Sequence, residues 1–381
     1  MKIIRCTCFF LAFILLFAVP IDVWSVSEEE ITAPSAVLME PKTGKVLYEK
    51  NPHEIRACAS ITKVMTLILV MEAIDSGELS LTDNITASAH AASMGGSDIW
   101  LEEGEVMSVD DLIKATVVAS ANDAAVALAE RIAGSEDTFV DNMNAKAKIL
   151  NMNDTVFKNC NGLDEEGHLT SAYDVALMSR ELLKHKLIYN YTSIWMDNLR
   201  DGKTQIVNTN KLLKSYKGIT GLKTGTTNDA GSCISATAQR GNLELISVVL
   251  GSKTGKERFS DAATLLDYGF ANFTMTSPVI PENFFDSTVK VNNGMESIVN
   301  TQVRLNGNFL IPKGREKDIK SDLQLEEEVE APVYKDQKLG SISFSLDGDD
   351  LAQYSITALT DVEKMNFKSV LVVLSKQLLR L

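Results

Sequence analysis

The spacing of apolar residues changes several times along the chain, and each change marks an element. Cys6 to Pro20 is almost wholly apolar behind the basic start Met1, Lys2 and Arg5. Ile21-Asp22-Val23-Trp24-Ser25 follows, ending on a small residue. The apolar run is shorter than the ~20 residues of a spanning helix. Residues 1–25 therefore read as a secretory signal peptide cut near Ser25 or Ser27, with a retained N-terminal anchor as the alternative. Strand-like runs over 35–41 and 45–50 flank Lys42-Thr43-Gly44 and predict a hairpin. Ser60 to Asp75 is apolar nearly all round, which predicts a buried helix stopped by Gly77. Helical spacing recurs over 109–133, 135–150 and 171–186, the second of these behind a capping-like Ser135 and early acids. Strand patterns return at Cys233 to Ala238 and Leu243 to Leu250, and residues 258–270 read as a closing helix. Strands from both ends of this region, with helices between them, predict an α+β domain.

Thr276 to Glu282 is Pro-rich and reads as a linker. Beyond it come short alternating runs at 288–291, 301–305, 341–345 and 354–358. Their turns carry Asn293-Gly294, Asn306-Gly307 and Asp347-Gly348, the marks of a small all-β domain. The tail from Val362 to Leu381 is interrupted by Lys364, Lys368, Lys376 and Arg380, so it is a poor spanning segment. It can lie on a membrane surface with Met365, Leu371, Val372 and Leu379 inward and the basic heads outward, or it can pack on the β domain.

Composition narrows the function. The 381 residues suit one large domain and a smaller one. A net charge of -14 without a basic stripe argues against nucleic-acid partners. Cys6 and Cys8 leave with the signal peptide, and Cys58, Cys160 and Cys233 make no disulfide framework. His53, His90, His168 and His185 are scattered, so neither a metal site nor a cofactor is expected.

Ser60-Ile61-Thr62-Lys63 offers a hydroxyl and an amine three residues apart on one helix face. Burial lowers a lysine pKa, which lets Lys63 act as a base and Ser60 as a nucleophile. The bland reading is a helix cap beside a surface lysine. Ser287-Thr288-Val289-Lys290 has the same pattern but lies in a strand-like run, where residues three apart face opposite ways. Ser120-Ala121-Asn122 sits among small and apolar residues and suggests a helix break facing a cleft. There Ser120 can relay a proton and Asn122 can bind a substrate amide, unless both merely cap a helix. Lys-Thr-Gly occurs three times. Only Lys223-Thr224-Gly225-Thr226 opens a run of small residues leading to a strand, where Gly225 would let a substrate backbone approach. Lys223 and Thr224 can hold a carboxylate, and Lys223 can depress the pKa of Lys63.

In this order the three elements match the Ser-x-x-Lys, Ser-x-Asn and Lys-Thr-Gly set of penicillin-binding proteins. The chain resembles the low-molecular-mass members, the serine-type D-Ala-D-Ala carboxypeptidases, over essentially all of residues 30–381. That resemblance implies a β-lactamase/DD-peptidase-like domain over 30–275, an antiparallel sheet flanked by helices with a helical subdomain. It further implies a small all-β domain over 276–360 and an amphipathic membrane-associating helix over 361–381. It implies an exported enzyme on the outer face of the cytoplasmic membrane. Such an enzyme removes the terminal D-alanine of peptidoglycan pentapeptides through an acyl-enzyme and is acylated by β-lactams. Ser60 is then the nucleophile, Lys63 the base and Ser120 the proton relay, with Asn122, Lys223, Thr224, Gly225 and Thr226 binding substrate. The backbone N–H groups of Ser60 and Thr226 would form the oxyanion hole. Arg258 aligns with the family's arginine near the terminal carboxylate, or is a surface arginine paired with Asp261. Three alternatives stay open: an endopeptidase on the same scaffold, a β-lactamase, whose Glu-x-x-Leu-Asn run is absent here, and a non-catalytic cell-wall-binding protein.

Overall fold

In a computed structural model the described residues are 26–27, 29–284 and 287–378. The expected signal peptide lies outside them. Five strands form the central sheet: β1 (Ser35–Met39), β2 (Val46–Lys50), β3 (Ile219–Thr227), β4 (Gly231–Arg240) and β5 (Leu243–Ser252). Their order is β2-β1-β5-β4-β3, antiparallel throughout. The N-terminal hairpin thus joins a sheet made mainly by residues almost two hundred positions later, and β3 is left as an edge.

Both faces of this sheet are covered, which is why its inner strands β1 and β5 are nearly continuous apolar runs. Val37, Met39, Ile246 and Val248 face a large core shared with the helices α1 (Lys63–Asp75), α2 (Asn122–Ala133) and α3 (Ala172–Leu182). Ala36, Leu38, Leu245 and Val249 face a second core under α4 (Gly255–Asn272), which contributes Leu265, Leu266 and Phe270. Gly269 lets α4 lie close, since a Cβ there would come within 2.5 Å of the Leu245 side chain. The unused Lys-Thr-Gly copies have structural jobs. Thr254 caps α4 in a box with Glu257, and Lys42-Thr43 wraps the Glu40 carboxylate in the β1–β2 turn.

One expected helix is broken. Residues 109–133 form a helix to Lys114, a wider turn over Ala115–Ala119, a left-handed Ser120 with φ 61°, and then α2. The polar Ser-Ala-Asn among small residues marks the break.

After β5 and α4, Phe273–Thr276 pairs with Phe309–Pro312, so part of the expected linker is strand. A six-stranded sheet follows, ordered 320–325, 338–346, 349–358, 298–303, 288–292, 328–330. Its tightest hairpin turns on Asp347 and Gly348, both with positive φ, as the Asp-Gly pair predicts. The α+β domain and the following all-β region agree with the expected fold class. The tail differs in detail. Val362 bridges Val333 and Lys364 bridges Gly294, so the helix starts only at Phe367 and runs to Leu378. Leu379 lies outside the described residues. Among the described residues no helix is long and apolar enough to cross a membrane.

Candidate active site

The turn that carries Ser60 precedes α1. Ala59 to Thr62 make one tight 3-10 turn that runs straight into the helix, so residues three apart lie over one another. The Lys63 ammonium or amine reaches the Ser60 Oγ at 2.9 Å. Ala59 has φ 52°, a left-handed value that costs a non-glycine residue ~1 kcal/mol or more. Two glycines hold the turn there. A Cβ on Gly162 would come within 2.0 Å of the Ala59 carbonyl oxygen. A Cβ on Gly225 would come within 2.7 Å of the Cys58 oxygen and 2.9 Å of the Ser60 nitrogen. Gly225 is therefore also required to be small by the Ser60 turn packed on its strand.

Lys63 is fully buried and makes two more bonds, to Asn122 Oδ1 at 2.5 Å and to the Asn161 carbonyl at 2.6 Å. Burial pushes its pKa down to about 7. Asn122 is itself held, its Nδ2 donating to Gly95 O at 2.7 Å. Both ends of this amide are therefore engaged, and its first job is to orient Lys63.

The left-handed Ser120 points its hydroxyl at Lys223 on edge strand β3, with Lys223 Nζ donating at 2.7 Å. Lys223 also donates to its neighbour's carbonyl, Thr224 O, at 2.9 Å. Burial, then the charges of Lys63 and Arg258, push Lys223 well below the usual lysine range. The repulsion between the two amines is mutual, so a proton on either one disfavours a proton on the other.

Arg258 on the first turn of α4 is only 9% exposed and does not pair with Asp261. Its Nη1 donates to Gly225 O at 2.8 Å and Thr226 Oγ1 at 2.7 Å. Asp261 instead accepts from Ala33 N–H at 2.8 Å. The structure thus brings together three adjoining hydrogen-bonded groups, Ser60 with Lys63 and Asn122, Ser120 with Lys223 and Thr224, and Arg258 with Gly225 and Thr226. Sequence reasoning gave no role to Asn161 or Gly162, and it missed Thr209, whose hydroxyl meets that of Thr224 at 2.6 Å. Thr209 carries no local signal; Asn161-Gly162 does, as a turn pair with the glycine at φ 87°. The thiol of Cys58 is buried and pushed up to about 12, so it is inert beside the nucleophile.

A concavity of ≈ 630 Å³ lies beside Ala59 and Gly162 but is not lined by Ser60, Lys63, Ser120 or Lys223. The chemistry assigns the site better than the volume does.

Comparison with known proteins gives a consistent picture. The D-alanyl-D-alanine carboxypeptidase family profile matches residues 22–254, and that of the penicillin-binding protein 5 C-terminal domain matches residues 275–364. The chain is 44% identical to the D-alanyl-D-alanine carboxypeptidase DacF of Bacillus subtilis, covering 90% of this chain and 88% of that one. Penicillin-binding protein 5 of Haemophilus influenzae superposes with a TM-score of 0.74 at 32% identity, covering 89% of this chain and 100% of that chain. Penicillin-binding protein D2 of Listeria monocytogenes, solved in its ampicillin-bound form, gives a TM-score of 0.58 at 35% identity, covering 63% of this chain and 98% of that chain.

Proposed function

The chain belongs to the serine-type D-alanyl-D-alanine carboxypeptidases, and from that premise we propose that Ser60 carries the acyl-enzyme through which it shortens peptidoglycan pentapeptides. The observation that carries this reading is the pair of contacts Lys63–Ser60 at 2.9 Å and Lys223–Ser120 at 2.7 Å, which place two amines and two hydroxyls along one edge strand.

The peptide lies along β3, the open edge of the sheet. Its terminal carboxylate meets Lys223, Thr224 and Arg258. That negative charge favours the Lys223 cation, and the cation helps keep Lys63 neutral. Ser60 attacks the D-Ala-D-Ala carbonyl while its proton passes to Lys63. The Ser60 and Thr226 N–H groups stabilise the oxyanion. D-alanine departs with a proton delivered through Ser120, and water then releases the shortened peptide and restores the Ser60 hydroxyl. A β-lactam enters the same groove and acylates Ser60.

The pH dependence tests the base. Lys63 accepts a proton only when neutral, so acylation requires a pH above its pKa of about 7. The rate of labelling by fluorescent penicillin, and of D-alanine release from pentapeptide, should fall about tenfold per pH unit below that point. A rate that stays flat from about pH 5 to 8 removes Lys63 from this role.

We also propose export, with cleavage near Ser25 or Ser27, and membrane attachment through the tail. Phe367 is 85% exposed, Leu371 56% and Leu374 50%, spaced i, i+4, i+7 on one helix face with Lys364 and Lys368 nearby. A chain ending at Met365 should stop sedimenting with anionic vesicles while keeping its D-alanine release. Equal sedimentation of both forms rejects the tail as the anchor.

A further inference from the structure

Trp100 occupies a position suited to glycine. Its φ of 55° lies in the left-handed region, where a bulky side chain is an outlier. Burial does not compensate, because the residue is 76% exposed.

The backbone beneath it is tied on every side. Ile99 N–H and Leu101 N–H each donate to the Asp123 carboxylate at 3.0 Å. Arg200 donates from the other side to Ile99 O at 2.9 Å and Trp100 O at 3.4 Å, itself fixed by Glu105 at 2.6 and 3.0 Å. Successive N–H groups wrapped on an anion form a nest, and a nest calls for positive φ in its middle. Glycine would supply that without strain. The nest accounts for the turn and leaves the indole unexplained. Strain kept in this way points to function.

The loop is part of the catalytic wall. Asn122 N–H donates to Ser97 O at 2.7 Å, and Asn122 Nδ2 donates to Gly95 O at 2.7 Å. Asp123, which holds the nest, is the next residue. Three residues of chain place the Trp100 Cα within ~11 Å of the Ser97 Cα.

We infer that Trp100 is a stacking platform for a sugar ring of the glycan strand that bears the stem peptide. The inference rests on the carboxypeptidase reading for the identity of that substrate. A pyranose ring presents a flat face of C–H groups with hydroxyls at its rim. A rigid, exposed indole fits the face at low entropic cost. Asp98, with Glu102 and Glu103 exposed beside the tryptophan, supplies acceptors for the rim. The same acids argue against the other occupants of a bare tryptophan, since they repel an anionic membrane and a second copy of this acidic surface.

The test compares Trp100→Ala, Trp100→Tyr and Trp100→Gly on two substrates sharing one pentapeptide, one free and one attached to its disaccharide. Trp100→Ala should raise KM for the glycan-linked substrate about tenfold with kcat unchanged, the scale of one aromatic contact. Free pentapeptide turnover and penicillin acylation should stay within about twofold, which also reports a folded protein. Trp100→Tyr should recover most of the loss. Trp100→Gly should lose the glycan preference yet melt at a higher temperature, because the left-handed backbone is relaxed. In wild type, titration with peptide-free glycan chains should shift the Trp100 indole N–H resonance. Equal losses on both substrates, no change on either, or Trp100-dependent self-association each overturn the platform. If the wild type releases D-alanine from neither substrate, the carboxypeptidase reading falls instead, and the glycan titration still decides Trp100.

Discussion

Ser60→Ala should abolish both covalent penicillin labelling and D-alanine release, while the protein keeps its fold. The Ser60 hydroxyl makes one side-chain contact in this network, to Lys63 at 2.9 Å. When it is removed, Lys63 still has Asn122 Oδ1 and the Asn161 carbonyl. No buried group is stranded, so the change in stability should stay within about 1 kcal/mol. The chemical loss is of another size, because the turn's other hydroxyl, Thr62, is buried against His168 Nε2 at 2.7 Å and does not face Lys63. Loss of a serine nucleophile removes on the order of 10⁶ in turnover. Labelling on a gel and D-alanine release from pentapeptide measure the two effects separately. A labelled Ser60→Ala protein would move the acyl-enzyme to another residue. A wild-type protein that takes no label would support the idle cell-wall-binding alternative.

Lys63→Ala should be nearly as damaging and less well tolerated by the fold. A positioned general base contributes ~10²–10⁴ in rate, and acylation should drop by the upper part of that range. Two buried oxygens, Asn122 Oδ1 and the Asn161 carbonyl, lose their donor. Each stranded acceptor costs about 1–3 kcal/mol, partly offset because a buried amine is no longer desolvated. The pH profile separates loss of the base from loss of structure. Residual acylation in a folded Lys63→Ala protein should lose the rise through about pH 7 seen in wild type. A variant that acylates within tenfold of wild type, with that rise intact, would place the base elsewhere.

These residues were accessible from sequence because their chemistry is local or their surroundings are distinctive. Ser60 and Lys63 share one turn, and three-residue spacing on a helix is enough to join them. The choice among the Lys-Thr-Gly copies followed from context. Lys42 sits in a two-strand turn, Lys253 stands before a helix cap, and only Lys223 leads into small residues along a strand. Asn161 was different. Its contribution is a backbone carbonyl aimed at Lys63 from almost a hundred residues away, and no side-chain pattern announces a carbonyl.

In the C-terminal region the hairpins with Asn-Gly or Asp-Gly turns were visible, while strands 309–312, 320–325 and 328–330 were not. Two of these strands carry several charges and lie at the outer positions of their sheet, where one exposed side weakens the alternation. The third is four residues long and ends on Pro312. The tail was read as helical from its first residues because Met365 and Phe367 stand among Glu363, Lys364 and Lys368 there. The bridges of Val362 and Lys364 to the β sheet override that local pattern.

The two glycines that clamp the nucleophile turn limit how such an enzyme can adapt under antibiotic pressure. Any side chain at residue 162 or 225 strikes the main chain of Cys58, Ala59 or Ser60 before it can reach an inhibitor. Loosening the turn by one substitution is therefore closed as a path to resistance, and selection is steered toward the groove's rim and the loops around it.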